Sequence, residues 1–375
     1  MGRDRSGLVG GKAPQFTCIA TQQYYAKLSG SLLRGLMFIT GETLDDVMLT
    51  VFERLIRSRN RVNPTKGDNR ELFGVLLEIR QPRARLSRTE TKGRLFSALG
   101  EFIWYLAGSD EFAFIDYYIK NGYQTDDGKS VFGAYGPRIF GLRGVDQFSE
   151  ILQLLGRNSE SRKAVLQLYS AEDLKFPPRD VPCTCTLQFV VRRKHLNLMV
   201  SMRSNDAYKG LPHDVFAFTM LQEIVARCLG VGLGNYKHSV GSLHLYDDDV
   251  RKAQDYISEG WQSALMMPPM PDGDPMDAVT KLVQAEEKIR RSEPVDVEQL
   301  PLPEYWKDMA RLLQIFALTK GIAPLSMARK RKIVRIIKDN MSNKFYDGYI
   351  QLREQRLSPA EKPAQMRLGD PDEIR

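Results

Sequence analysis

The sequence has few cysteines and no long apolar run. Only four of its 375 residues are cysteines, and the spacing of Cys183-x-Cys185 makes a poor zinc site, so we expect no metal. No stretch of about 18 apolar residues is present to cross a membrane. The charged start, residues 1–12, lacks the apolar core of a signal peptide. These absences predict a cytoplasmic protein without a membrane partner.

Charge of one sign is not strongly concentrated either. The chain has 54 basic and 46 acidic residues, a formal net charge of +8. A nucleic-acid-binding protein normally clusters its basic residues, and here only residues 328–332 do so. We therefore do not expect nucleic acid as a partner, and the excess of positive charge favours small acidic ligands instead.

The apolar patterns predict an α+β fold, in which a mixed or antiparallel sheet is covered by helices. Helical spacing of apolar residues predicts helices at 43–59, 92–107 and 216–229. Strand-like runs lie at 72–80, 164–169, directly after Cys183, and at 196–202. Glycine-rich or polar stretches predict loops at 60–70 and 128–140.

Composition divides the chain into three parts. Residues 1–25 are predicted to be a flexible arm, 26–262 the main folded domain, and 263–375 a helical C-terminal extension. Within the extension, the Met- and Pro-rich segment 266–275 is predicted to be a linker. Polar helices are predicted after it, at 277–292, 304–319 and 326–354.

Residues 181–246 carry most of the side chains with chemical potential. They bring together a thiol, a guanidinium, two acids and a His-x-Tyr pair, namely Cys183, Arg203, Asp206, Asp214, His244 and Tyr246. Such a set would bind an anionic, hydrogen-bonding small molecule. Upstream, Glu101 is set among apolar residues of a predicted helix, where a carboxyl group is costly unless it is paired or used.

Each of these residues has a plainer interpretation when taken alone. Cys183 would be a buried structural thiol, and Asp214 would be a helix N-cap before an apolar run. Tyr135 would be a packing residue, His244 a hydrogen-bonded core histidine, and Arg162-Lys163 a solvated pair. The order in which the residues occur together outweighs these readings.

That order resembles the thymidylate synthase family and its relatives, the pyrimidine-nucleotide hydroxymethylases, over roughly residues 40–250. The matching motifs, in chain order, are Glu101-x-x-Trp104, Tyr135 in Gly-Ala-Tyr-Gly, Ser161-Arg162-Lys163, Pro182-Cys183 with Gln188-Phe189, Arg203-Ser204-x-Asp206, Asp214, and His244-x-Tyr246. The resemblance implies a mixed sheet packed with helices and a homodimer with shared active sites.

The resemblance also implies roles for single residues. Cys183 would be the nucleophile, with Glu101, Asp214 and Tyr135 as further catalytic residues. The nucleotide would be bound by Arg203, Ser204, Asp214, His244, Tyr246 and Gln188, and across the dimer interface by Arg162 and Lys163. The co-substrate, 5,10-methylenetetrahydrofolate, would meet Asp206 and Gly210. Arg70 or Lys66 would replace an early-loop arginine on the phosphate.

Departures from the family pattern point to a particular reaction. The base-reading asparagine of the synthases is Asp214 here, and a carboxyl group suits N4 and N3 of cytosine. The histidine after the nucleophile is Thr184, and the segment from Tyr123 to Gly128 lacks the tryptophan that packs near folate. These changes favour addition of water over hydride transfer, and a cytosine nucleotide, dCMP before CMP, as substrate.

Two other readings stay open at this stage. The chain could be a divergent thymidylate synthase or a hydroxymethylase of dUMP, which product analysis would distinguish. It could also be a non-catalytic protein that binds a nucleotide or, through its basic residues 328–338, nucleic acid. A pure binding protein has no need of Cys183 together with Glu101, which favours the enzyme.

Overall fold

The computed structural model describes residues 37–64, 67–90, 93–175, 178–320 and 325–357. The predicted arm at 1–25 lies outside these ranges. So do Lys66 and the end of the predicted extension, 358–375.

One mixed sheet of seven strands forms the centre of the described protein. Its order is β1-β3-β7-β6-β5-β4, with the short β2 beside β3. The strands are β1 Met37–Gly41, β2 Arg61–Val62, β3 Asn69–Ile79, β4 Val165–Gln167, β5 Thr184–Arg192, β6 His195–Asp206 and β7 Gly232–Tyr246. Strands β6 and β7 are parallel, whereas β3 with β7, and β5 with β6, are antiparallel. The carboxyl ends of β6 and β7 therefore meet, and Asp206 lies opposite His244.

Eleven α-helices of the described ranges surround this sheet. They are α1 Leu44–Arg57, α2 Leu95–Leu106, α3 Phe112–Tyr118, α4 Tyr135–Gly141, α5 Gln147–Arg157, α6 Leu211–Cys228, α7 Val250–Ser258, α8 Met276–Arg290, α9 Glu304–Thr319, α10 Met327–Asp339 and α11 Asp347–Gln355. The α+β class with a mixed sheet is thus confirmed. None of these helices is both long and apolar enough to cross a membrane.

Helices α2 and α6 form the wall of the core above the sheet. Both are buried almost all round, as their nearly continuous apolar sequences indicate. They contact each other, and α6 also contacts β6 and β7. Acids in these two helices therefore face protein rather than solvent, and the core brings Glu101 and Asp214 near each other.

Local sequence signals located several elements well. Helix α1 begins with a capping box, in which the Thr43 side chain accepts from Asp46 N and Asp46 accepts from Thr43 N. The predicted loop 60–70 was wrong in part, because residues 61–62 pair with β3, which starts at Asn69. The predicted loop 128–140 was also wrong at its end, because Tyr135 opens helix α4.

The predicted linker at 266–275 packs against the core rather than bridging freely. Met267 and Met270 are buried, and the backbone N–H of Met270 donates to Glu223 Oε1 at 2.9 Å. Methionine fills irregular gaps well, so a Met-rich segment can pack without regular secondary structure. The predicted helix 326–354 is two helices, α10 and α11, with residues 340–346 between them.

Candidate active site

The thiol of Cys183 lies beside a fixed cation. Cys183 directly precedes β5 and is half-buried. Arg203, on the neighbouring strand β6, places Nη2 3.8 Å from Cys183 Sγ. The same guanidinium donates to the carbonyl oxygens of Pro182 and Val181, both at 3.0 Å. A guanidinium held in this way stabilises a thiolate and still presents positive charge to an anionic ligand.

A tyrosine hydroxyl is fixed next to the thiol. Tyr135 Oη accepts hydrogen bonds from the backbone N–H of Thr184 at 3.1 Å and from its hydroxyl at 2.9 Å. Burial, and then the nearby acidic groups of Asp214 and Cys183 in their ionised forms, raise the pKa of Tyr135 well above its usual value. Tyr135 therefore stays protonated and can donate to a ligand on the Cys183 side.

Glu101 on α2 is held through one of its two oxygens. Tyr105, one turn further along the helix, donates to Oε1 at 2.9 Å, and Tyr123 donates to the same oxygen. The other oxygen, Oε2, is buried and has no hydrogen-bond partner in the described part of the chain. A buried acceptor without a partner is costly. This oxygen is therefore a position for a water molecule or a ligand donor.

Asp214, in the first turn of α6, is a buried acid. Burial, followed by the nearby negative charge of Glu101, raises the pKa of Asp214 well above its usual value. Asn205 Nδ2 donates to Asp214 Oδ2 at 3.1 Å and opposes this shift only in part. The protonated acid is thus favoured, and a neutral carboxyl group has one donor and one acceptor oxygen to offer a base.

The turn after β6, residues 206–210, brings backbone groups close to the carboxyl groups of Asp206 and Asp214. Asp206 Oδ1 accepts from the backbone N–H groups of Tyr208 and Lys209, at 2.8 and 2.9 Å. A Cβ atom at Gly210 would lie 3.0 Å from Asn205 Oδ1 and 3.5 Å from Asp214 Oδ2. Glycine leaves this space open. The binding of a folate by Asp206 and Gly210, which the resemblance implies, stays a prediction.

His244 and Tyr246 lie at the carboxyl end of β7, at the same end of the sheet as Asp206. Their rings lie 5.0 Å apart in an edge-on arrangement, and Lys209 Nζ lies 5.6 Å from the centre of the Tyr246 ring. Burial, and then the charge of Asp206, raise the pKa of Tyr246. Ser204, on β6, pairs with Ser242 in the parallel register. The predicted sugar- and phosphate-binding residues therefore share one end of the sheet with Cys183.

Three predicted residues are not brought to this cluster. Gln188 lies five residues along β5 from Cys183, about 17 Å at the usual rise of a strand. Its Nε2 donates to the backbone oxygen of Arg162 at 3.0 Å. Arg162 and Lys163 are exposed. Within one chain, all three lie far from the thiol.

The early-loop candidate Arg70 is already engaged. It donates through Nη1 to the backbone oxygen of Ile56, and its Nε lies 3.7 Å from Asp247 Oδ1. The alternative, Lys66, lies outside the described residues. Across the described ranges, no group of three or more His, Cys, Asp or Glu residues is arranged to hold a metal ion.

Sequence reasoning missed four residues that complete the site: Tyr105, Tyr123, Asn205 and His238. Tyr105 could have been predicted as a hydrogen-bond partner of Glu101, because residues four apart in a helix are neighbours and a buried carboxyl group requires a donor. Asn205 lay inside a motif whose third position was read as variable. Tyr123 and His238 come from a loop and from a distant strand, and only the tertiary fold brings them near.

The fold and the site together define a class of protein. A thiol beside a fixed arginine, with two buried acids at one end of a mixed sheet, is the arrangement expected of the family that the sequence resembles. Residues 45–271 match the family model described as thymidylate synthase, which is more than half of the chain. The chain belongs to the thymidylate synthase family.

A curated relative from a phage is similar over part of its length. The deoxyuridylate hydroxymethyltransferase of Bacillus phage SP01 is 28% identical over 227 residues. The match covers 56% of this chain and 59% of the relative. The chain therefore spans about three fifths of the length of the relative it matches.

Proposed function

We propose that this protein is a cytoplasmic pyrimidine-nucleotide hydroxymethylase. It transfers a one-carbon unit from 5,10-methylenetetrahydrofolate to carbon 5 of a cytosine nucleotide, with dCMP favoured over CMP, and completes the reaction with water. The observation that carries the proposal is the joint placement of Cys183 beside Arg203 and of the buried acid Asp214 near Glu101.

Cys183 is the nucleophile in this proposal. Carbon 5 of a pyrimidine is a weak nucleophile, and addition of the thiolate to carbon 6 raises its electron density. The guanidinium of Arg203, 3.8 Å from the sulfur, favours the thiolate. Asp214 supplies a proton to ring nitrogen N3 as the sulfur–carbon bond forms, so no full negative charge remains on the ring.

Asp206 and Gly210 would hold the folate, and Glu101 would hold the attacking water. When bound, methylenetetrahydrofolate supplies a one-carbon unit at the oxidation level of formaldehyde. Tyr105 and Tyr123 fix Oε1 of Glu101, so Oε2 is positioned to accept a proton from water. Tyr123 lies in the segment where the sequence lacks the expected tryptophan. This difference supports water addition.

The relative favours a second candidate substrate. Its name specifies deoxyuridylate and hydroxymethyl transfer. Because the relative is a hydroxymethyltransferase, it supports the same reaction type here. Because its named substrate is deoxyuridylate, dUMP is the alternative nucleotide to dCMP. Asp214 supports cytosine when the proton of its carboxyl group lies on the oxygen that faces N3, because that oxygen then donates to N3 and the other accepts from the exocyclic amine at position 4.

A homodimer with shared sites accounts for Arg162 and Lys163. Both are exposed and far from the thiol of their own chain, so they would act on the phosphate bound by a partner subunit. Arginine binds phosphate in a forked, two-bond geometry, while lysine acts as a point charge. Gln188 contributes indirectly by holding the backbone that carries Arg162.

Incubation with methylenetetrahydrofolate and, in turn, dCMP, CMP and dUMP tests the proposed reaction. Mass analysis should show dCMP gaining 30 Da, about the mass of one CH₂O unit, as expected when water completes the transfer. A methylated product would instead identify a synthase. Absence of any product, with tight nucleotide binding, would support the non-catalytic alternative.

The base preference is tested with Asp214→Asn. An amide can donate to O4 of uracil and accept from N3–H, so we expect the preference to move from dCMP toward dUMP. A mispaired buried group costs about 1–3 kcal/mol, so the ratio of kcat/KM values should change by about tenfold or more. The structure rules out the plainer interpretation of Asp214 as a helix N-cap, because the N-cap of α6 is Gly210 and no side chain caps the helix. An unchanged ratio would show that Asp214 does not distinguish the bases, and the argument for cytosine would be lost.

A further inference from the structure

A chain of buried polar side chains runs from Asp214 away from the site. Asn205 Nδ2 donates to Asp214 Oδ2 and lies equally close, at 3.1 Å, to His238 Nε2. His238 Nδ1 in turn lies 2.7 Å from the hydroxyl of Tyr236. All four side chains are buried, and His238 and Tyr236 have no exposed surface. A network of this kind holds its members in fixed orientations.

The hydrogen atoms of this chain can be assigned. Burial lowers the pKa of His238 to about 3, so its ring is neutral and carries one proton. Asn205 Nδ2 also lies 2.9 Å from Met202 Sδ, but a thioether sulfur is a weak acceptor, so the two N–H bonds of Asn205 go to Asp214 Oδ2 and to His238 Nε2. His238 then has its proton on Nδ1 and donates it to Tyr236. Both N–H bonds of Asn205 are therefore used, and Asp214 Oδ2 receives one of them.

Protonation of Asp214 does not by itself select a base. A neutral carboxyl group pairs with cytosine when one oxygen donates to N3 and the other accepts from N4. It pairs equally well with uracil when the two oxygens exchange roles, one donating to O4 and the other accepting from N3–H. The choice between the bases therefore depends on which oxygen holds the proton.

We propose that Asn205 determines the base preference by fixing Oδ2 of Asp214 as the accepting oxygen, so that the proton lies on Oδ1. This inference rests on the proposed function. Oδ2 has two lone pairs and accepts from both Asn205 and N4 of cytosine, while Oδ1 donates to N3. Uracil would require a proton on Oδ2, the oxygen toward which Asn205 already directs an N–H bond. Asn205 is thus a positioning residue that acts through Asp214.

Two substitutions at Asn205 test this assignment in opposite ways. Asn205→Ala removes the donor, so the ratio of kcat/KM for dCMP to that for dUMP should move toward one by roughly fivefold to tenfold, the effect of one hydrogen bond. Asn205→Asp has the same shape but presents an acceptor, which draws the proton to Oδ2. It should move the ratio further, in favour of dUMP.

Tyr236→Phe is the matched control, because it alters the far end of the same buried chain without touching Asp214. It should change both kcat/KM values together and leave their ratio within about twofold. Thermal melting of all three variants establishes that each is folded. If both Asn205 variants lower the two kcat/KM values equally, Asn205 is only structural and the proposal is overturned.

Binding measurements separate this proposal from the proposed function. Calorimetric titration with dCMP and with dUMP gives a ratio of affinities without any turnover. A wild-type protein that prefers dUMP would contradict the cytosine assignment. In that case Asn205→Ala must still shift the ratio of affinities toward dUMP, because Asn205 keeps the proton on Oδ1, and a ratio unaffected by either Asn205 variant overturns the role of Asn205.

Discussion

At the scale of single residues, each acid of the site depends on a neighbour that controls one of its oxygens. Tyr105 and Tyr123 both donate to Glu101 Oε1, and Asn205 donates to Asp214 Oδ2. In the proposed reaction the other oxygen of each acid, Oε2 of Glu101 and Oδ1 of Asp214, takes part in proton transfer. The acids could be predicted from the sequence, because burying a carboxyl group in an apolar helix is costly unless the group is paired or used in function. Their partners could not, since Tyr123 and Asn205 are polar residues of ordinary loop and strand positions.

The first prediction concerns the nucleophile. Cys183→Ser should abolish turnover, because a hydroxyl group is a far poorer nucleophile than a thiolate. Nucleotide binding should stay within about tenfold of wild type, since Arg203 remains tied to the carbonyl oxygens of Val181 and Pro182. Product formation and equilibrium binding are measured on the same preparation.

Cys185→Ser is the control for this change. Cys185 is a half-buried thiol two residues away, and burial raises its pKa, which disfavours a reactive thiolate. The control should retain nearly full turnover. Substantial activity in Cys183→Ser, or loss of activity only in Cys185→Ser, would contradict covalent catalysis through Cys183.

At the scale of elements, helix α2 is held by helices of the extension as well as by α6. The ring of Tyr118, at the end of α3, packs against Gly100 of α2, and its hydroxyl donates to Glu286 of α8 at 2.7 Å. Glu286 is fully buried and pairs with Arg290 at 2.9 Å. The position of Glu101, adjacent to Gly100, therefore depends on a contact that begins in the extension.

Gly100→Ala tests this dependence. A Cβ atom at this position would lie 2.1 Å from the ring of Tyr118, so the ring or the helix must shift. Overpacking of a core of this kind costs about 1–3 kcal/mol, which exceeds the gain of up to about 1 kcal/mol in helix propensity. We expect a lower free energy of unfolding in urea and a lower kcat, because Glu101 moves with α2.

Gly156→Ala in α5 is the matched control. It makes the same change in a helix, and nothing lies within 4 Å of the new Cβ atom. This variant should be as stable as wild type or more stable, with unchanged kcat. If the two variants behaved alike, the packing of Tyr118 on α2 would not position Glu101.

At the scale of the whole molecule, much of the architecture follows from patterns in the sequence. Apolar periodicity predicted α1, α2 and α6 and the strands around Cys183, because each pattern reflects a face that must be buried. The order of the strands could not be predicted from these patterns, because the parallel pairing of β6 with β7 depends on contacts between residues distant in sequence. Packing of Met267 and Met270 was missed for a related reason. Composition predicted that their segment is a linker, whereas its burial depends on contacts with residues distant in sequence.

The order of strands also decides which residues can serve one site. The carboxyl end of β6 and the start of β5 meet at Cys183, while β4, at the edge of the sheet, leads back to Lys163 and Arg162 about 17 Å along β5. An arginine side chain is much shorter than this distance. If these two cations bind the phosphate, they do so in a second copy of the chain.

Mixing two inactive variants tests this sharing of sites. A Cys183→Ser chain lacks the nucleophile, and an Arg162→Ala chain lacks a cation that would act on its partner. In a hybrid dimer, the chain that retains Cys183 receives Arg162 from the Cys183→Ser chain, so one of the two sites is intact. Random exchange of subunits at equal concentrations should restore about a quarter of wild-type activity.

Cys183→Ser mixed with Glu101→Gln is the control, because both changes affect the chain's own site and every hybrid site stays defective. Mass measurements on the intact dimers show whether hybrids have formed. If they form and the Arg162→Ala mixture stays as inactive as the control, Arg162 does not act across the interface.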